Sequence, residues 1–386
     1  MQNVIASGLG IGDDYPPRIM GVLNVSEESP YDPSVYDDPS EAAAYVDSEL
    51  IAEGADIVDV GLESANKRFE VLSADQELAR LDTAVEAIER VSGDAVFSIE
   101  TRYAEVADEA LSRGFDVVND VCGFADPEMP EVCAAHDAAV VKMASPPDLE
   151  RPGAVERPDD IYDALTREGL TDKTIVDPAF GGWSEDKTLD DDRETFRRLR
   201  EFRGLGQPIL VSINRKNFLR DLAGRSTEQA LPVSLAATAM AVERGAHVVR
   251  THDVAETVDA ATIGAAFTRE RTFAEVDGDG EDATLRVEEL DATTAGEAAR
   301  HLARLGADDS LADEAALGVF EFSGLTSDER EALGAAAPEA GVTVAPGESG
   351  VLLAATPAGL TRLAGVVGKR SERLRAALRR VGEHER

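Results

Sequence analysis

One structural unit repeats eight times between residue 18 and about residue 267. In each repeat, a short β-branched run is followed by a turn and then by a longer segment rich in Ala, Leu and Glu with helical spacing. Near-continuous apolar strands of this kind are typical of parallel sheets that are buried on both faces. The predicted strands are residues 18–25, 55–62, 95–101, 116–122, 138–144, 174–180, 208–214 and 247–253.

Eight strand–helix units in roughly 250 residues indicate an α/β protein with a closed (β/α)8 TIM barrel. The doubly wound alternative requires a phosphate-binding glycine turn after its first strand. The glycine-rich stretch GLGIGDD (8–14) instead precedes the first strand. It predicts a lid or a bottom strand over a barrel, so the barrel is preferred.

The character of the chain changes after Phe267. We predict a barrel domain at 1–270, an acidic glycine-rich linker at 271–283, which contains DGDGED, and a small α+β domain at 284–386. The last segment, GKRSERLRAALRRVGEHER, has the pattern of a basic amphipathic helix. In so acidic a protein, we interpret it as a partner for acidic faces within the protein or its oligomer, rather than as a nucleic-acid arm.

The charge excludes some classes of partner. Lys and Arg number 38 against 76 Asp and Glu, which gives a formal net charge of −38. Such a surface is a poor partner for nucleic acid or for an anionic membrane. Dispersed acidic residues with few lysines fit a halophilic protein in multimolar salt, where the Debye length is ~3 Å or less.

The chain has no run of 18 apolar residues, and its first residues lack the basic and apolar regions of a signal peptide. Its two cysteines, Cys122 and Cys133, offer neither a disulfide framework nor zinc spacing. We interpret both as small buried apolar groups. The expected location is the cytoplasm, with no membrane partner.

Polar residues recur where the predicted strands end, which is where barrel enzymes carry their chemistry. Burying a carboxylate or a lysine costs several kcal/mol unless it is paired, so this set needs an explanation. Asp120 and Asp253 could cap the following helices, and Asp59 could be a satisfied core acid. The set comprises Asn24, Asp59, Glu63, Glu100, Asn119, Asp120, Lys142, Met143, Asp177, Asn214, Arg215, Lys216, Arg250 and His252.

Four of these residues suit a planar heterocycle rich in amide groups. A carboxylate can accept two parallel N–H bonds from a 2-amino-pyrimidinone edge, and a lysine can reach a ring oxygen or nitrogen. The four are Glu100, Asn119, Asp177 and Lys216.

Three others suit an anion. Arg250 and His252 lie two residues apart on one strand, so their side chains share a face. Arginine forms a fork for phosphate oxygens, and Asn24 and His252 add hydrogen bonds. A heterocycle-binding half beside a phosphate-binding half predicts a heterocyclic diphosphate substrate from which diphosphate departs.

These residues lie in motifs that resemble the dihydropteroate synthase family, whose fold is a (β/α)8 barrel. The similarity covers roughly residues 18–267, with the motifs in the family's order and at its spacing. The motifs are MGVLNVSEES (20–29), GADIVDVGLES (54–64), SIET (98–101), VVND (117–120), IVDPAFGG (175–182), SINRKNF (212–218) and VVRTHDV (248–254).

The resemblance implies that 6-hydroxymethyl-7,8-dihydropterin diphosphate and p-aminobenzoate condense to dihydropteroate with release of diphosphate. It implies a homodimer, no covalent nucleophile, and Asp177, Lys216 and Arg250 as catalytic residues. Asn24 would also bind Mg²⁺. The implied pterin-binding positions are Glu100, Asn119, Met143, Asp177, Phe180 and Lys216, and the implied diphosphate-binding positions are Asn24, Arg250 and His252.

The chain departs from the family pattern in its loops. Glu100 stands where the family usually has Asp, and the first and second loops differ at 28–36 and 63–70. The altered loops leave open a pterin-diphosphate transferase with a different amine acceptor, or a pterin-binding or methyltransferase-type barrel. The positions expected to contact the second substrate are Ser64, Lys67, Arg68 and Asn214.

Overall fold

The computed structural model describes residues 1–25, 34–63, 71–149, 153, 155–181, 186–269, 272–276, 285–290, 292–368 and 370–384. The chain divides into two compact units, Met1–Arg269 and Glu270–Arg386. This division lies one residue from the predicted domain boundary. In the parts of the chain described here, no helix is long and apolar enough to cross a membrane.

The described residues of the first unit form ten strands. They are β1 Val4–Ala6, β2 Leu9–Ile11, β3 Arg18–Asn24, β4 Ile57–Gly61, β5 Val96–Thr101, β6 Val117–Asp120, β7 Ala139–Met143, β8 Thr174–Asp177, β9 Leu210–Val211 and β10 Val248–Thr251. The last eight form one parallel sheet in the order β8-β7-β6-β5-β4-β3-β10-β9. A parallel bridge between Val176 and Ile209 joins its two edges. The predicted TIM barrel is thereby confirmed.

Helices follow the strands around the barrel. They are α1 Pro39–Tyr45, α2 Ala74–Ile88, α3 Ala104–Ser112, α4 Met129–Ala135, α5 Pro158–Thr166, α6 Leu189–Arg197, α7 Asn217–Ala223, α8 Leu231–Glu243 and α9 Val254–Ala266. A π-helical turn, Val46–Ile51, continues α1. After α6 the chain forms a 3-10 turn, Leu199–Leu205, which stops at Gly206 with φ 76°.

Alternate residues of each barrel strand point into the barrel. Nearest the amino ends of the strands, these inward residues form an apolar layer. Its members are Met20, Ile57, Val96, Val117, Ala139, Val141, Ile175, Leu210 and Val248. Two residues further along, the inward positions remain apolar in β3 (Val22) and β7 (Met143). In the other strands these positions are polar: Asp59, Ser98, Asn119, Asp177, Ser212 and Arg250. The sequence therefore concentrates its polar inward groups at the carboxyl end of the barrel.

The N-terminal hairpin of β1 and β2 covers the amino end of the barrel. Val4, Ala6 and Ile11 join the apolar layer there. Arg203 donates two hydrogen bonds to the Asp13 carboxylate, at 2.9 Å each, next to the hairpin. Of the two positions predicted for GLGIGDD, the bottom strand is therefore correct.

The second unit is a small α+β domain. Its strands are β11 Thr272–Val276, β12 Leu285–Glu288, β13 Gly318–Ser323, β14 Thr343–Pro346 and β15 Gly350–Ala355. The last three form an antiparallel sheet in the order β13-β15-β14, and β11 pairs with β12. Its helices are α10 Ala295–Arg304, α11 Ala312–Ala315, α12 Ser327–Ala340, α13 Pro357–Val367 and α14 Glu372–His384.

The structure changes one prediction for this unit, the linker, and bears on a second, the basic helix. The predicted linker at 271–283 contains a strand, β11, because the alternating TFAEV pattern pairs with β12. Residues 277–284 lie outside the described part of the chain. The basic helix α14 buries Leu374 and Leu378 in the core of its own unit, and Arg373 pairs with Glu329 at 2.5 Å. This contact is the intramolecular acidic partner that the sequence suggested.

Candidate active site

A hydrogen-bonded network lies at the carboxyl end of the barrel, centred on Asp59. The Asp59 carboxylate, which has no exposed surface, accepts hydrogen bonds from Ser98 Oγ at 2.7 Å and Asn119 Nδ2 at 3.0 Å. It also accepts one from Arg250 Nε at 2.7 Å. Three donors satisfy a carboxylate that would be costly to bury alone. Asp59 therefore fixes the orientation of Asn119 and Arg250.

Arg250 lies between two carboxylates. Besides Asp59, its guanidinium contacts Glu100 Oε2 at 2.6 Å through Nη2. Burial opposes its charge, but Asp59 and Glu100 hold the pKa of Arg250 above its ordinary value. Burial raises the pKa of Glu100 to about 7, against the opposing effect of Arg250. The result is a permanent cation beside an acid that exchanges its proton near neutral pH.

A small cavity opens beside this network. An apolar wall with a few convergent polar groups is typical of a small-molecule site. The structure brings together six of the residues predicted to bind substrate: Glu100, Asn119, Met143, Asp177, Phe180 and Arg250. Val121, Ala179 and Ser212 complete the lining, and sequence reasoning had assigned none of these three. Phe180 stacks on Phe218, with ring centroids 5.7 Å apart.

Strand β8 ends at Asp177, earlier than the predicted residue 180, in a strained turn. Ala179 has φ 59°, a left-handed conformation that costs a side-chain-bearing residue ~1–2 kcal/mol. Its backbone N–H donates to Asp177 Oδ1 at 2.7 Å. Burial raises the pKa of Asp177 to about 6, although the Ala179 N–H and Lys216 act in the opposite direction. Most Asp177 side chains are therefore ionised at neutral pH.

Lys216 lies against the same turn, at the N-cap of α7. A Cβ placed on Gly181 would come within 2.9 Å of Lys216 Nζ, so only glycine leaves room for the ammonium there. Burial lowers the pKa of Lys216, and the Asp177 carboxylate opposes that shift. The predicted Asp177 and Lys216 thus interact, although Lys216 lies outside the cavity lining.

Asn24 and His252 also lie at this end of the barrel, outside the cavity lining. Asn24 Nδ2 donates to Ser34 Oγ at 2.9 Å, and its Oδ1 lies 3.0 Å from where a Cβ on Gly61 would sit. Burial, together with the charge of Arg250, lowers the pKa of His252 to about 3. The imidazole is therefore neutral, and it can offer one donor and one acceptor but no charge.

Two members of the predicted polar set point away from the mouth. Asp120 accepts hydrogen bonds from the backbone N–H groups of Cys122, Gly123 and Phe124. Lys142 Nζ donates to the carbonyls of Arg167 and Gly169. Their clustering with the others was wrong, because each follows an inward residue by one position and faces the opposite side of its strand.

Asp253 and Asn214 interact with each other. Asp253 occupies the N-cap position of α9, one of the roles left open for it, but its side chain makes no capping hydrogen bond and instead accepts from Asn214 Nδ2 at 2.8 Å. It also accepts from Arg215 Nε at 2.8 Å and Nη2 at 2.9 Å. Asn214 was predicted to contact the second substrate, and this pairing fixes its orientation at the end of β9.

A family model described as pterin binding enzyme matches residues 20–252, more than half of the chain. The chain belongs to the pterin-binding enzyme family. The resemblance to dihydropteroate synthases is confirmed by the relatives. The dihydropteroate synthase of Bacillus subtilis is 32% identical over 244 residues, which is 61% of this chain and 83% of that protein.

Two haloarchaeal relatives of this pterin-binding enzyme are longer. A probable bifunctional folylpolyglutamate synthase/dihydropteroate synthase of Haloferax volcanii is 35% identical over 70% of this chain and 33% of that protein. A protein with the same description in Halobacterium salinarum is 36% identical, over 64% of this chain and 31% of its own length. The chain therefore spans about a third of the length of these two curated relatives.

Solved structures of the family agree with the barrel fold. A dihydropteroate synthase of Coxiella burnetii in complex with pteroic acid superposes with a TM-score of 0.57 at 27% identity, covering 68% of this chain and 98% of that one. The Thermus thermophilus enzyme in complex with 4-aminobenzoate gives a TM-score of 0.55 at 29% identity, covering 69% and 100%.

The second-substrate positions expected in this pterin-binding enzyme lie mostly outside the described residues. These are Ser64, Lys67 and Arg68. The described residues that flank them are joined by Arg102, which donates to Glu63 Oε2 at 2.7 Å and to the Leu72 carbonyl at 2.6 Å. Arg102 was not predicted from the sequence, because its position directly after β5 gives no sign that it contacts Glu63 and Leu72.

Magnesium was predicted to bind Asn24. Within the described ranges, no group of three or more His, Cys, Asp or Glu side chains could hold a metal ion. Mg²⁺ is commonly bound by one or two protein oxygens together with substrate phosphates, so a protein-only cluster is not required. The Asn24 amide oxygen, with room beside Gly61, is a ligand of the type that Mg²⁺ prefers.

Proposed function

We propose that this protein is a dihydropteroate synthase. It would join 6-hydroxymethyl-7,8-dihydropterin diphosphate to p-aminobenzoate and release diphosphate. The observation that carries the proposal is the cavity in which Glu100, Asn119 and Asp177 face Arg250, in a family barrel whose relatives are dihydropteroate synthases. The Glu100 and Asp177 carboxylates suit the pterin ring of that substrate, and the Arg250 cation suits its diphosphate.

The pterin would bind in the cavity through its polar edge. Asn119 offers a donor and an acceptor, while Asp177 and Glu100 offer carboxylate oxygens for ring N–H groups. Met143 and Phe180 supply apolar contact for the ring. Because Asp59 holds Asn119 in place, this edge is ordered before the substrate arrives.

The reaction substitutes one bond at the exocyclic methylene. The C–O bond to diphosphate breaks, the amine nitrogen forms a C–N bond to the same carbon, and the nitrogen loses a proton. Arg250 stabilises the developing negative charge on diphosphate, and the Asp177 carboxylate stabilises positive charge on the ring. Asn24 and the neutral His252 donate or accept hydrogen bonds at the leaving group. Bound Mg²⁺, held by Asn24, would neutralise diphosphate charge.

A second candidate is a transfer to a different amine. Asn214, at the position expected to contact the acceptor, is bound to Asp253. Asn214 stands where the resemblance to the family implies a serine, and its pair with the Asp253 carboxylate gives this neighbourhood a different polarity from a serine hydroxyl. This candidate keeps the same pterin half and the same chemistry.

Diphosphate release by the full chain tests the proposal. The purified protein would be assayed in multimolar KCl with Mg²⁺ and the pterin diphosphate, with and without p-aminobenzoate. Release that depends on p-aminobenzoate, with dihydropteroate detected by mass, is the expected result. Tight pterin binding without such release would contradict the proposal and favour a different acceptor.

Pterin binding should weaken as the pH falls. Asp177 must be ionised to stabilise the ring, and its raised pKa of about 6 means that it gains a proton as the pH drops through that value. Glu100, whose pKa is about 7, also accepts a ring N–H as a carboxylate in the proposed site. We therefore expect the dissociation constant of 6-hydroxymethylpterin to begin to rise below pH 7 in the wild type. In Glu100→Gln, where Asp177 alone titrates, the rise should begin only below pH 6, at about tenfold per pH unit. A flat profile between pH 5 and 7.5 would contradict the role of Asp177.

We further propose that the protein works in the cytoplasm of a halophile, as a homodimer. The net charge of −38 and the two haloarchaeal relatives support the salt adaptation. Self-repulsion destabilises a compact state of this charge, and salt screens it. The melting temperature should rise from about 0.1 M to about 2 M KCl. Sucrose, which stabilises by exclusion without screening, is the control, and equal effects of both would contradict the proposal.

A further inference from the structure

We propose that Lys187 and Asp192 are positioning residues that hold the strained Asp177–Gly181 turn, and so set the Asp177 carboxylate and the Lys216 ammonium for the heterocycle. The inference rests on the proposed function, because that heterocycle is the pterin. Sequence reasoning assigned no role to either residue.

The pair is buried and contacts the turn in two places. The side chains of Lys187 and Asp192 are 1% and 4% exposed, and Lys187 Nζ lies 3.2 Å from Asp192 Oδ1. Lys187 Nζ donates to the Ala179 carbonyl at 2.7 Å. Asp192 Oδ1 accepts from the Gly181 backbone N–H at 3.2 Å. The two charges therefore clamp the backbone on both sides of Phe180.

The turn needs such support because its backbone is unfavourable. Ala179 has φ 59° and Gly181 has φ 113°. Buried ion pairs are weak sources of stability, since desolvation offsets much of their attraction. Strained residues persist only where the surroundings over-determine them, and such residues cluster at active sites. The contacts of Lys187 with the Ala179 carbonyl and of Asp192 with the Gly181 N–H hold this backbone where it lines the cavity.

The pair also acts electrostatically on the two catalytic groups. Burial raises the pKa of Asp177, and Lys187 is one of the cations that oppose this rise. Burial lowers the pKa of Lys216, where Asp192 acts against the shift and Lys187 adds to it. The charges of Lys187 and Asp192 therefore influence both groups proposed to face the pterin, the Asp177 carboxylate and the Lys216 ammonium.

Lys187→Met in the full chain is the primary test. We expect the dissociation constant of the pterin diphosphate to rise at least about tenfold and turnover to fall by a similar factor. The KM for p-aminobenzoate should stay within about twofold, because the positions expected to contact that substrate do not include this turn. Lys173→Met is the matched control: Lys173 contacts the Asp137 carbonyl and carboxylate, each at 2.7 Å, just before the other end of β8.

Rescue separates positioning from packing. Glycine adopts positive φ without strain, so adding Ala179→Gly to Lys187→Met should restore pterin binding to within about threefold of the wild type. If Lys187→Met does not fold, Asp192→Asn serves instead. It keeps an acceptor for the Gly181 N–H but loses the charge, and should weaken pterin binding about three- to tenfold.

Two results would overturn the inference. One is wild-type pterin binding in both Lys187→Met and Asp192→Asn. The other is a folded Lys187→Met variant with weak binding that Ala179→Gly does not restore. Failure of the proposed function would give another result, because the wild type itself would form no dihydropteroate. The pterin affinities of the variants would in that case still test whether Lys187 and Asp192 position the turn.

Discussion

Replacing Arg250 with alanine is expected to lower turnover at least about 100-fold, because the substitution removes the cation that stabilises the departing diphosphate. The structure adds a second effect. Glu100 and Asp59 lose their shared partner at 2.6 and 2.7 Å, so two buried carboxylates are left close together. Steady-state kinetics with the pterin diphosphate measures the first effect, and thermal unfolding measures the second.

Two variants make that result specific. Arg250→Lys keeps the charge but loses the planar fork, so its turnover should lie between those of the wild type and alanine variants. Arg198→Ala removes a half-exposed arginine that pairs with Asp159 at 2.8 Å and Glu201 at 2.7 Å, and it should leave turnover unchanged. Near-normal turnover of Arg250→Ala would remove the proposed role at the leaving group.

Asp59→Asn should destabilise the protein by roughly 3 kcal/mol, although Asp59 makes no contact with substrate in the proposed mechanism. The amide keeps one acceptor oxygen but places an NH2 group at the other position, either against Ser98 Oγ or against the Asn119 and Arg250 donors. The Arg250 cation then keeps only Glu100 as a charged partner. Denaturant unfolding of the full chain, followed by a barrel signal, gives the difference in the free energy of unfolding.

The matched control is Asp82→Asn. Asp82 pairs with Arg113 at 2.7 Å but is largely exposed, so its loss should change the free energy of unfolding by less than about 1 kcal/mol. Equal stability of the two variants would show that the Asp59 network is not what holds Arg250. The Asp59 variant should also lose turnover, because the guanidinium is no longer oriented.

The barrel could be predicted because patterns typical of strands and of helices alternate regularly along residues 18–267. The roles of individual side chains were harder to predict, because polar residues at the ends of strands can lie on either face of the sheet, and only one face lines the barrel interior. Asn119 and Asp120 are neighbours in sequence, yet one meets Asp59 and the other caps a backbone turn. Counting in steps of two from Val117 of the apolar layer places Asn119 inside the barrel and Asp120 outside it.

Other parts of the site had no local signal. Arg102 contacts Glu63, 39 positions away, and Lys187 contacts the carbonyl of Ala179, eight positions before it. Such contacts depend on how loops return over the barrel, which propensity and periodicity do not encode. The positive φ of Ala179 was equally hidden, because alanine gives no sign of a left-handed turn.

The floor of the barrel has a consequence for synthesis of the chain. Asp13 meets Arg203 and His247, which lie 190 and 234 positions further on. The hairpin that covers the amino ends of the strands is thus translated before Arg203 and His247, and it can dock only after those residues emerge from the ribosome. At ordinary elongation rates, the interval to Arg203 is roughly 10–40 s. During that time the apolar side chains of β1 and β2 lack their native contacts, and the nascent chain depends on its many acidic residues for solubility.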